Sequence, residues 1–342
     1  MEICPGQPML YGGCGIAIEA PMTQLSVETN AFELSDAACW RMEEFSSWRD
    51  RIQLVVERTL EALSANSDLR CDGLATNNPS RTLRIERPPV AHAGLGSGTQ
   101  LACCVATLVA ATCYRFHGED KTIEANALWS EVMPPEGRAL LNRLAASTGR
   151  GARSYIGLAC HLFGGFIVDS GVPEVSQFER KVERFSVPET WRIVLARPIS
   201  SSTVSGTLET DYFQRCEVPN PNRQSMLDII ADELRPAIQA QDLPRFGEAI
   251  YRYGRMGGEL FRSVQGGVYR DAEVTELVET IRRLGVKGTG QTSWGPTVYA
   301  FVENQNEAVE LENRLHLRLP AKNHTMITQP TNRPATVSIQ TQ

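Results

Sequence analysis

Residues 91–102 read AHAGLGSGTQLA, and they decide how the first half of the chain folds. Gly94, Gly96 and Gly98 come before the small, apolar stretch LACCVATLVAATC at residues 101–113, which predicts a buried helix. Glycine permits a positive φ and a close approach of backbone to ligand, and the first turn of a helix attracts anions. The stretch therefore predicts a phosphate loop. A tight strand-to-helix turn that binds nothing is the alternative.

Four other glycine-containing segments accompany this loop. They are YGGCGIAIEAP at 11–21, GRGARSYIGLACHLFGGFIVDSG at 149–171, QGGVY at 265–269 and VKGTGQTSWGPTVYAF at 286–301. In this order, the five segments resemble blocks of the β-ribofuranosylaminobenzene 5′-phosphate synthase family, which lies within the GHMP kinase superfamily. That family usually begins with a strand similar to SRLHFGLLD. Residues 1–10, MEICPGQPML, contain nothing similar, so we expect one wall of the substrate cleft to be altered.

The resemblance implies an α+β class and a GHMP-kinase-like fold of two domains. We place the first domain, with the phosphate loop, at residues 1–175 and the second at 189–330, because the polar segment between them is typical of a boundary. The polar residues 331–342 predict a mobile tail. Apolar periodicity predicts helices at 40–65, 136–147, 226–240, 243–256, 274–284 and 307–317. It predicts strands at 82–86, 166–168, 192–196, 298–302 and 325–328.

Composition narrows the range of functions. A net charge of −6 argues against nucleic acid as the main partner. No apolar run is long enough to span a membrane, and no leader peptide is visible. The nine cysteines include no CxxC pair, which favours buried thiols in a reducing compartment, the cytoplasm.

The resemblance implies a transferase reaction in tetrahydromethanopterin biosynthesis, a pathway of one-carbon metabolism. In it, 5-phosphoribosyl diphosphate reacts with 4-aminobenzoate or 4-hydroxybenzoate, a C–C bond forms to ribose C1, and carbon dioxide and diphosphate leave. It also implies Mg²⁺ with the diphosphate, no ATP and a homodimer. Two other functions remain open: an ATP-dependent kinase of a small alcohol, and a non-catalytic paralogue that binds a phosphorylated metabolite.

Candidate site residues follow from these blocks. Lys287 and Arg150 are the candidates for neutralising the departing diphosphate, since arginine grips phosphate in a bidentate manner. Asp169 and Glu19 are the candidate metal ligands, although acids at strand ends are commonly surface residues. Trp294 could stack on the acceptor ring or brace its loop. The remaining substrate-binding candidates are Gly94, Gly96, Ser97, Gly98, Thr99, Gln100, Arg153, Ser154, Gly288, Thr289, Gly290, Gln291 and Ser293.

A gap in the acidic residues separates the first two functions. Kinases of this superfamily often place an Asp base on the helix before the Gly-Gly strand. No Asp or Glu occurs here between Glu136 and Asp169. The gap favours ribosyl transfer, in which the protein chiefly stabilises the leaving group and holds the acceptor.

Overall fold

The structure, a computed structural model, describes residues 9–10, 12–31, 46–64, 80–91, 93–113, 121–132, 137–147, 154–169, 171–173, 182–199, 223–293, 295–319 and 323–339. The strands of the first half are β1 (Met9–Leu10), β2 (Gly13–Ile16), β3 (Gln24–Ala31), β4 (Ser80–Arg87), β5 (Lys121–Glu124), β6 (Phe166–Asp169), β7 (Val172–Pro173) and β8 (Val182–Phe185). Its helices are α1 (Ser46–Ser64), α2 (Ser97–Cys113), α3 (Ala125–Val132), α4 (Gly137–Ser147) and α5 (Ile156–Phe163).

The second half begins with β9 (Arg192–Pro198). It continues through α6 (Arg223–Asp228), α7 (Arg235–Gln239), α8 (Leu243–Glu259), α9 (Arg262–Gln265), α10 (Ala272–Arg283), β10 (Thr289–Gln291), β11 (Val298–Val302), α11 (Gln305–Arg318) and β12 (Asn323–Thr328). Its strands form one antiparallel sheet in the order β10-β11-β9-β12. A last strand, β13 (Thr336–Ile339), returns to the first half.

Helix α2 forms the centre of the first half, as its apolar sequence predicts. Leu101, Cys103, Val105 and Ala106 are all buried, and α2 packs against α1, α3, α4 and α5. A helix that is apolar on every side is stable only when other elements surround it. The glycine loop is therefore fixed to a buried central helix of this half.

Strand β6 is the middle strand of the sheet β2-β6-β8, beside the start of α5. Its register places Gly13 opposite Asp169 and Cys14 opposite Val168. The short β1 pairs with β7, with Met9 opposite Pro173. The predicted lack of the family's first strand concerns mainly residues 1–8, which lie outside the described residues.

Side-chain caps set the starts of three helices in the second half. Asp242 accepts a hydrogen bond from the Arg245 N–H at the start of α8, at 2.9 Å. Asp271 and Asn304 cap α10 and α11 in the same way. Because a cap satisfies an N–H that has no partner within the helix, it fixes where the helix begins.

The predicted helix at 226–240 departs from α geometry in its middle. Residues Ile229–Leu234 form a π-helical segment between α6 and α7, and the Arg235 N–H bonds to the Ile230 carbonyl five residues back. Pro236 has no N–H to offer the Asp232 carbonyl, and the Arg245 side chain donates to that carbonyl instead, at 2.8 Å. The helix therefore widens where proline removes a hydrogen bond, and α8 supplies the replacement.

Aromatic side chains join the two halves. Phe166 of β6 meets Phe246 of α8 edge to face, with ring centroids 5.3 Å apart. Phe246 also meets Trp191 at 5.3 Å and Phe301 at 5.4 Å. Edge-to-face pairs are favourable beyond the area they bury, so this cluster holds the halves in one orientation.

The prediction of a mobile tail from residue 331 is wrong for the described part of that segment. Strand β13 pairs with β5, with Val337 opposite Ile123. The Thr331 N–H donates to the Ala17 carbonyl at 2.9 Å, and its carbonyl accepts from the Gly165 N–H at 2.7 Å. Polarity misled the prediction because an edge strand needs only one buried face. None of the described helices combines the length and apolar character needed to cross a bilayer.

Candidate active site

The glycine loop, residues 93–96, makes the predicted sharp turn into α2. Gly94 and Gly96 have φ values of +77° and +71°. The Thr99 and Gln100 N–H groups both donate to the Gly96 carbonyl at 3.0 Å, and the Ser97 hydroxyl donates to the Val90 carbonyl. A Cβ on Gly96 would have no atom of the described residues within 4 Å, so this side of the loop is open toward them. The loop therefore presents the positive end of a long buried helix to an open space.

A second loop, residues 292–295, lies directly against the glycine loop. A Cβ on Gly94 would be 2.4 Å from the Thr292 carbonyl oxygen, and one on Gly295 would be 2.3 Å from the Ala93 carbonyl oxygen. The Thr292 hydroxyl lies 3.0 Å from the Thr297 carbonyl and 3.3 Å from the Ala93 carbonyl. The structure thus brings together two of the segments that the sequence analysis singled out.

The start of α5 is the third component. A Cβ on Gly157 would be 3.0 Å from the Thr99 side chain, and the Gln100 side-chain amide donates to the Gly157 carbonyl at 2.9 Å. The Ser154 hydroxyl, which is exposed, accepts from the Ile156 N–H at 3.3 Å. The first turns of α2 and α5 therefore touch. Arg150, Arg153, Trp294 and His92 lie outside the described residues.

Lys287 lies at the far end of β10 from the glycine loop. Gly288 packs against Gly247 of α8, where a Cβ would be 2.9 Å from the Gly247 Cα. Gly288 and Thr292 are four residues apart on an extended segment, a Cα separation of about 13 Å. Lys287 lies beyond Gly288 with its side chain exposed, and its carbonyl accepts from Arg282 at 2.8 Å. Its role at the diphosphate stays a prediction, and the geometry of β10 does not favour it.

The other candidates from this strand serve the protein's own packing. Thr289 is fully buried, and a Cβ on Gly290 would be 2.7 Å from the Tyr299 hydroxyl. The Gln291 side chain accepts from the Arg270 N–H at 2.8 Å and donates to the Ser293 carbonyl at 2.9 Å. Ser293 has a φ of +41°, rare for a residue with a Cβ. Gln291 therefore holds Ser293 in place, so we expect it to position substrate-binding residues.

The two candidate metal ligands differ in environment. Asp169 is fully buried, and its two carboxylate oxygens accept from the Gly171 N–H at 2.9 Å and the Tyr155 N–H at 3.2 Å. Glu19 is exposed, and its backbone N–H donates to the Gln329 carbonyl. Among the described residues, no three His, Cys, Asp or Glu side chains are grouped closely enough to hold a metal ion. These residues therefore do not form a protein cage for Mg²⁺.

A buried tyrosine beside this region was missed in the sequence. Tyr253 of α8 lies one heptad after Phe246, a spacing that indicates a core residue. Its hydroxyl is buried and has no hydrogen-bond partner among the described residues. Burial raises the pKa of this hydroxyl well above its ordinary value, and Cys14 and Asp169 add to the rise. Burial also raises the pKa of the Cys14 thiol to about 12, so Cys14 stays a neutral thiol at physiological pH.

Comparison with known proteins confirms the resemblance of the sequence blocks. A family model described as "GHMP kinases C terminal" matches residues 234–321. The beta-ribofuranosylphenol 5′-phosphate synthase of Methanothermobacter thermautotrophicus is 28% identical over 312 residues, which cover 86% of this chain and 83% of the relative. The enzyme of the same name from Methanocaldococcus jannaschii is 25% identical over 311 residues, covering 85% and 82%.

Solved structures confirm the fold. Mevalonate kinase from Methanococcus jannaschii matches with a TM-score of 0.59 at 11% identity and covers 94% of this chain and 92% of its own. Homoserine kinase from Cytophaga hutchinsonii matches with a TM-score of 0.57 at 13% identity, covering 95% and 91%. The fold is therefore that of the GHMP kinases, as the sequence blocks predict.

Proposed function

We propose that the chain transfers the phosphoribosyl group of 5-phosphoribosyl diphosphate to 4-hydroxybenzoate or 4-aminobenzoate, with loss of carbon dioxide and diphosphate. The observation that carries this proposal is the absence of any Asp or Glu from the residues of α5, whose first turn touches the phosphate loop. The neighbouring Asp169 uses both carboxylate oxygens to accept backbone N–H groups. Residues 137–168 include neither acid. A kinase of this fold would place its base there, whereas ribosyl transfer to a ring carbon needs none. The names of relatives matched over most of the chain support the same activity.

The balance of the reaction explains why no base is needed. The ring carbon that bears the carboxylate forms a bond to ribose C1, and the C1–oxygen bond to diphosphate breaks with its electron pair. The ring carbon then releases carbon dioxide, and the electrons of that C–C bond restore aromaticity. No proton is gained or lost overall. The protein has to stabilise the diphosphate leaving group and hold the ring against C1.

The glycine loop suits the anionic end of the donor. Its open side at Gly96, the first turn of α2 and the Thr99 side chain lie together, so backbone N–H groups and the helix dipole favour a phosphate here. The close contact with residues 292–295 supports a donor bound across both loops.

The proposal also covers the metal ion, the cellular compartment, the pathway and the oligomeric state. Mg²⁺ would accompany the diphosphate, held mostly by substrate oxygens. Cys14, Cys103, Cys104 and Cys160 are free thiols, which suits a reducing cytoplasm. We place the reaction in tetrahydromethanopterin synthesis, with small molecules as its partners, and expect a homodimer that uses no ATP.

The test incubates the protein with 5-phosphoribosyl diphosphate and carboxyl-labelled 4-hydroxybenzoate or 4-aminobenzoate. Labelled carbon dioxide and diphosphate should form in equal amounts. Gly96→Val is the matched inactive control, because it places a side chain on the open side of the glycine loop at a positive φ. A parallel incubation with ATP and a panel of small alcohols tests the kinase function. Phosphorylation of an alcohol without release of carbon dioxide would overturn the proposal.

A further inference from the structure

Tyr253 carries a buried polar atom that the described residues leave without a hydrogen-bond partner. The residue is 6% exposed, and its hydroxyl has no hydrogen-bond partner in the part of the chain that the structure describes. A buried donor or acceptor without a partner costs roughly 1–3 kcal/mol, and buried tyrosine hydroxyls usually find one. A hydroxyl left in this state beside an active site indicates that a ligand supplies the partner.

Several contacts place Tyr253 next to the proposed site. Tyr253 belongs to the same hydrophobic cluster as Val168 of β6, and Cys14 of β2 packs against that cluster. Asp169 holds the Tyr155 N–H, directly before α5. Strand β2, the neighbour of β6 in the sheet, also contacts α5, since a Cβ on Gly15 would be 2.3 Å from the Ile156 side chain.

Helix α5 in turn connects this region to the phosphate loop. Gly157 of its first turn touches Thr99 and Gln100 of α2. Leu95 of the glycine loop packs against the same hydrophobic core that contains Tyr253. Tyr253 therefore lies in the core that joins α8 to the phosphate loop.

The surroundings of the hydroxyl fit a flat, neutral ring with one polar substituent. Tyr253 belongs to a hydrophobic cluster of buried residues, which we call the Tyr253 cluster. The partly buried side chains that pack against this cluster include Cys14, Leu95, Met256 and Tyr299. This cluster offers apolar and aromatic surface and a single unsatisfied polar atom. A sugar phosphate would leave many of its own polar groups unpaired there.

We propose that Tyr253 binds the para hydroxyl or amino group of the aromatic acceptor, an inference that rests on the proposed function. The carboxylate end of the acceptor would fit poorly. Burial raises the pKa of the Tyr253 hydroxyl, and Cys14 and Asp169 add to that rise. Neither of these two residues is a cation. Burying a carboxylate without a cationic partner is costly, and the Asp169 charge would repel it.

This orientation also suits the chemistry. The carboxylate-bearing carbon faces ribose C1, so the para substituent points away from the donor and into the protein. When that carbon attacks C1, positive charge develops on the para oxygen or nitrogen. The Tyr253 oxygen accepts a hydrogen bond from this group, and the nearby Asp169 carboxylate favours the positive charge. Tyr253 would thus select acceptors with a para donor and strengthen the nucleophilic ring.

The experiment is a double-mutant cycle between the protein hydroxyl and the para group of the ligand. Affinities of 4-hydroxybenzoate, 4-aminobenzoate and unsubstituted benzoate are measured for the wild type and for Tyr253→Phe, with 5-phosphoribosyl diphosphate measured separately. We expect Tyr253→Phe to weaken both para-substituted ligands by roughly three- to tenfold, the value of one hydrogen bond. The affinities of benzoate and of the donor should stay unchanged.

A stability measurement separates ligand binding from a structural role. Because the hydroxyl has no partner among the residues that the structure describes, Tyr253→Phe should leave the melting temperature unchanged or raise it, while acceptor turnover falls. Tyr251→Phe is the matched control, since Tyr251 lies on the other side of α8 with Arg282 over its ring. It should alter neither acceptor affinity nor turnover.

The outcomes are distinct. An equal loss for all three ligands would mean that Tyr253 holds the carboxylate. Unchanged affinities for all three ligands would mean that it contacts neither end. Either result overturns the inference and leaves the proposed function standing. Failure of the wild type to bind the donor or any benzoate would instead count against the proposed function itself.

Discussion

Replacing Gly94 or Gly96 by alanine separates packing of the glycine loop from anion binding. Both residues have a positive φ, so alanine costs about 1–2 kcal/mol of backbone strain at either position. Only Gly94 is crowded: its new Cβ would be 2.4 Å from the Thr292 carbonyl oxygen and 2.7 Å from the Gly295 Cα. Both atoms are backbone and cannot rotate away, so overpacking adds roughly 1–3 kcal/mol. Gly94→Ala should therefore lower the free energy of unfolding by roughly 1–3 kcal/mol more than Gly96→Ala does.

The second readout is affinity for the phosphorylated donor. At Gly96 the methyl group enters open space beside the first turn of α2. If a phosphate lies there, the methyl group would crowd it at a cost of roughly 1–3 kcal/mol. The affinity for 5-phosphoribosyl diphosphate should therefore fall roughly five- to 150-fold. Urea unfolding gives the stabilities, and calorimetry with 5-phosphoribosyl diphosphate gives the affinities. Equal stabilities would refute the close contact between the loops, and wild-type affinity in Gly96→Ala would refute the phosphate loop.

Two further predictions concern a histidine and a lysine. Burial lowers the pKa of His161 from 6.5 to about 4, so the unfolded chain takes up its proton first. The free energy of unfolding should fall by roughly 3 kcal/mol between pH 6.5 and pH 4, and His161→Gln should lose this part of the slope in urea titrations. Lys287→Ala should keep turnover and Michaelis constants within about twofold, because Lys287 is exposed beyond β10. A loss of about a hundredfold in turnover would restore the role predicted from its sequence position.

Much of the architecture around the phosphate loop could be predicted from local sequence. The residues 101–113 are apolar on every side, and only a surrounded helix accommodates that pattern, which α2 confirms. Gly94 and Gly96 have the positive φ values for which glycine is the usual choice. The resemblance marks the GTGQTSWGP segment as substrate-binding, and the structure adds that Thr292 of this segment lies against Gly94.

The remaining features depend on contacts that no local pattern carries. Lys287 precedes the second loop in sequence, but an extended strand carries it away in space. Tyr253 has the spacing of a core residue, and only the finished packing reveals that its hydroxyl lacks a partner. Asp169 was considered as a metal ligand from its block, whereas both its oxygens accept backbone N–H groups. Side-chain direction and partner choice arise from tertiary structure, which periodicity does not report.

The pairing of β13 with β5 has a consequence for how the protein is made. The Thr122 and Ser338 hydroxyls bond at 2.9 Å although they are 216 residues apart. During synthesis, β5 leaves the ribosome long before its partner strand exists, so its free edge stays open while the second half is translated. Contacts of such long range slow folding. The first half can therefore reach its final form only after residues 336–339 have been synthesised.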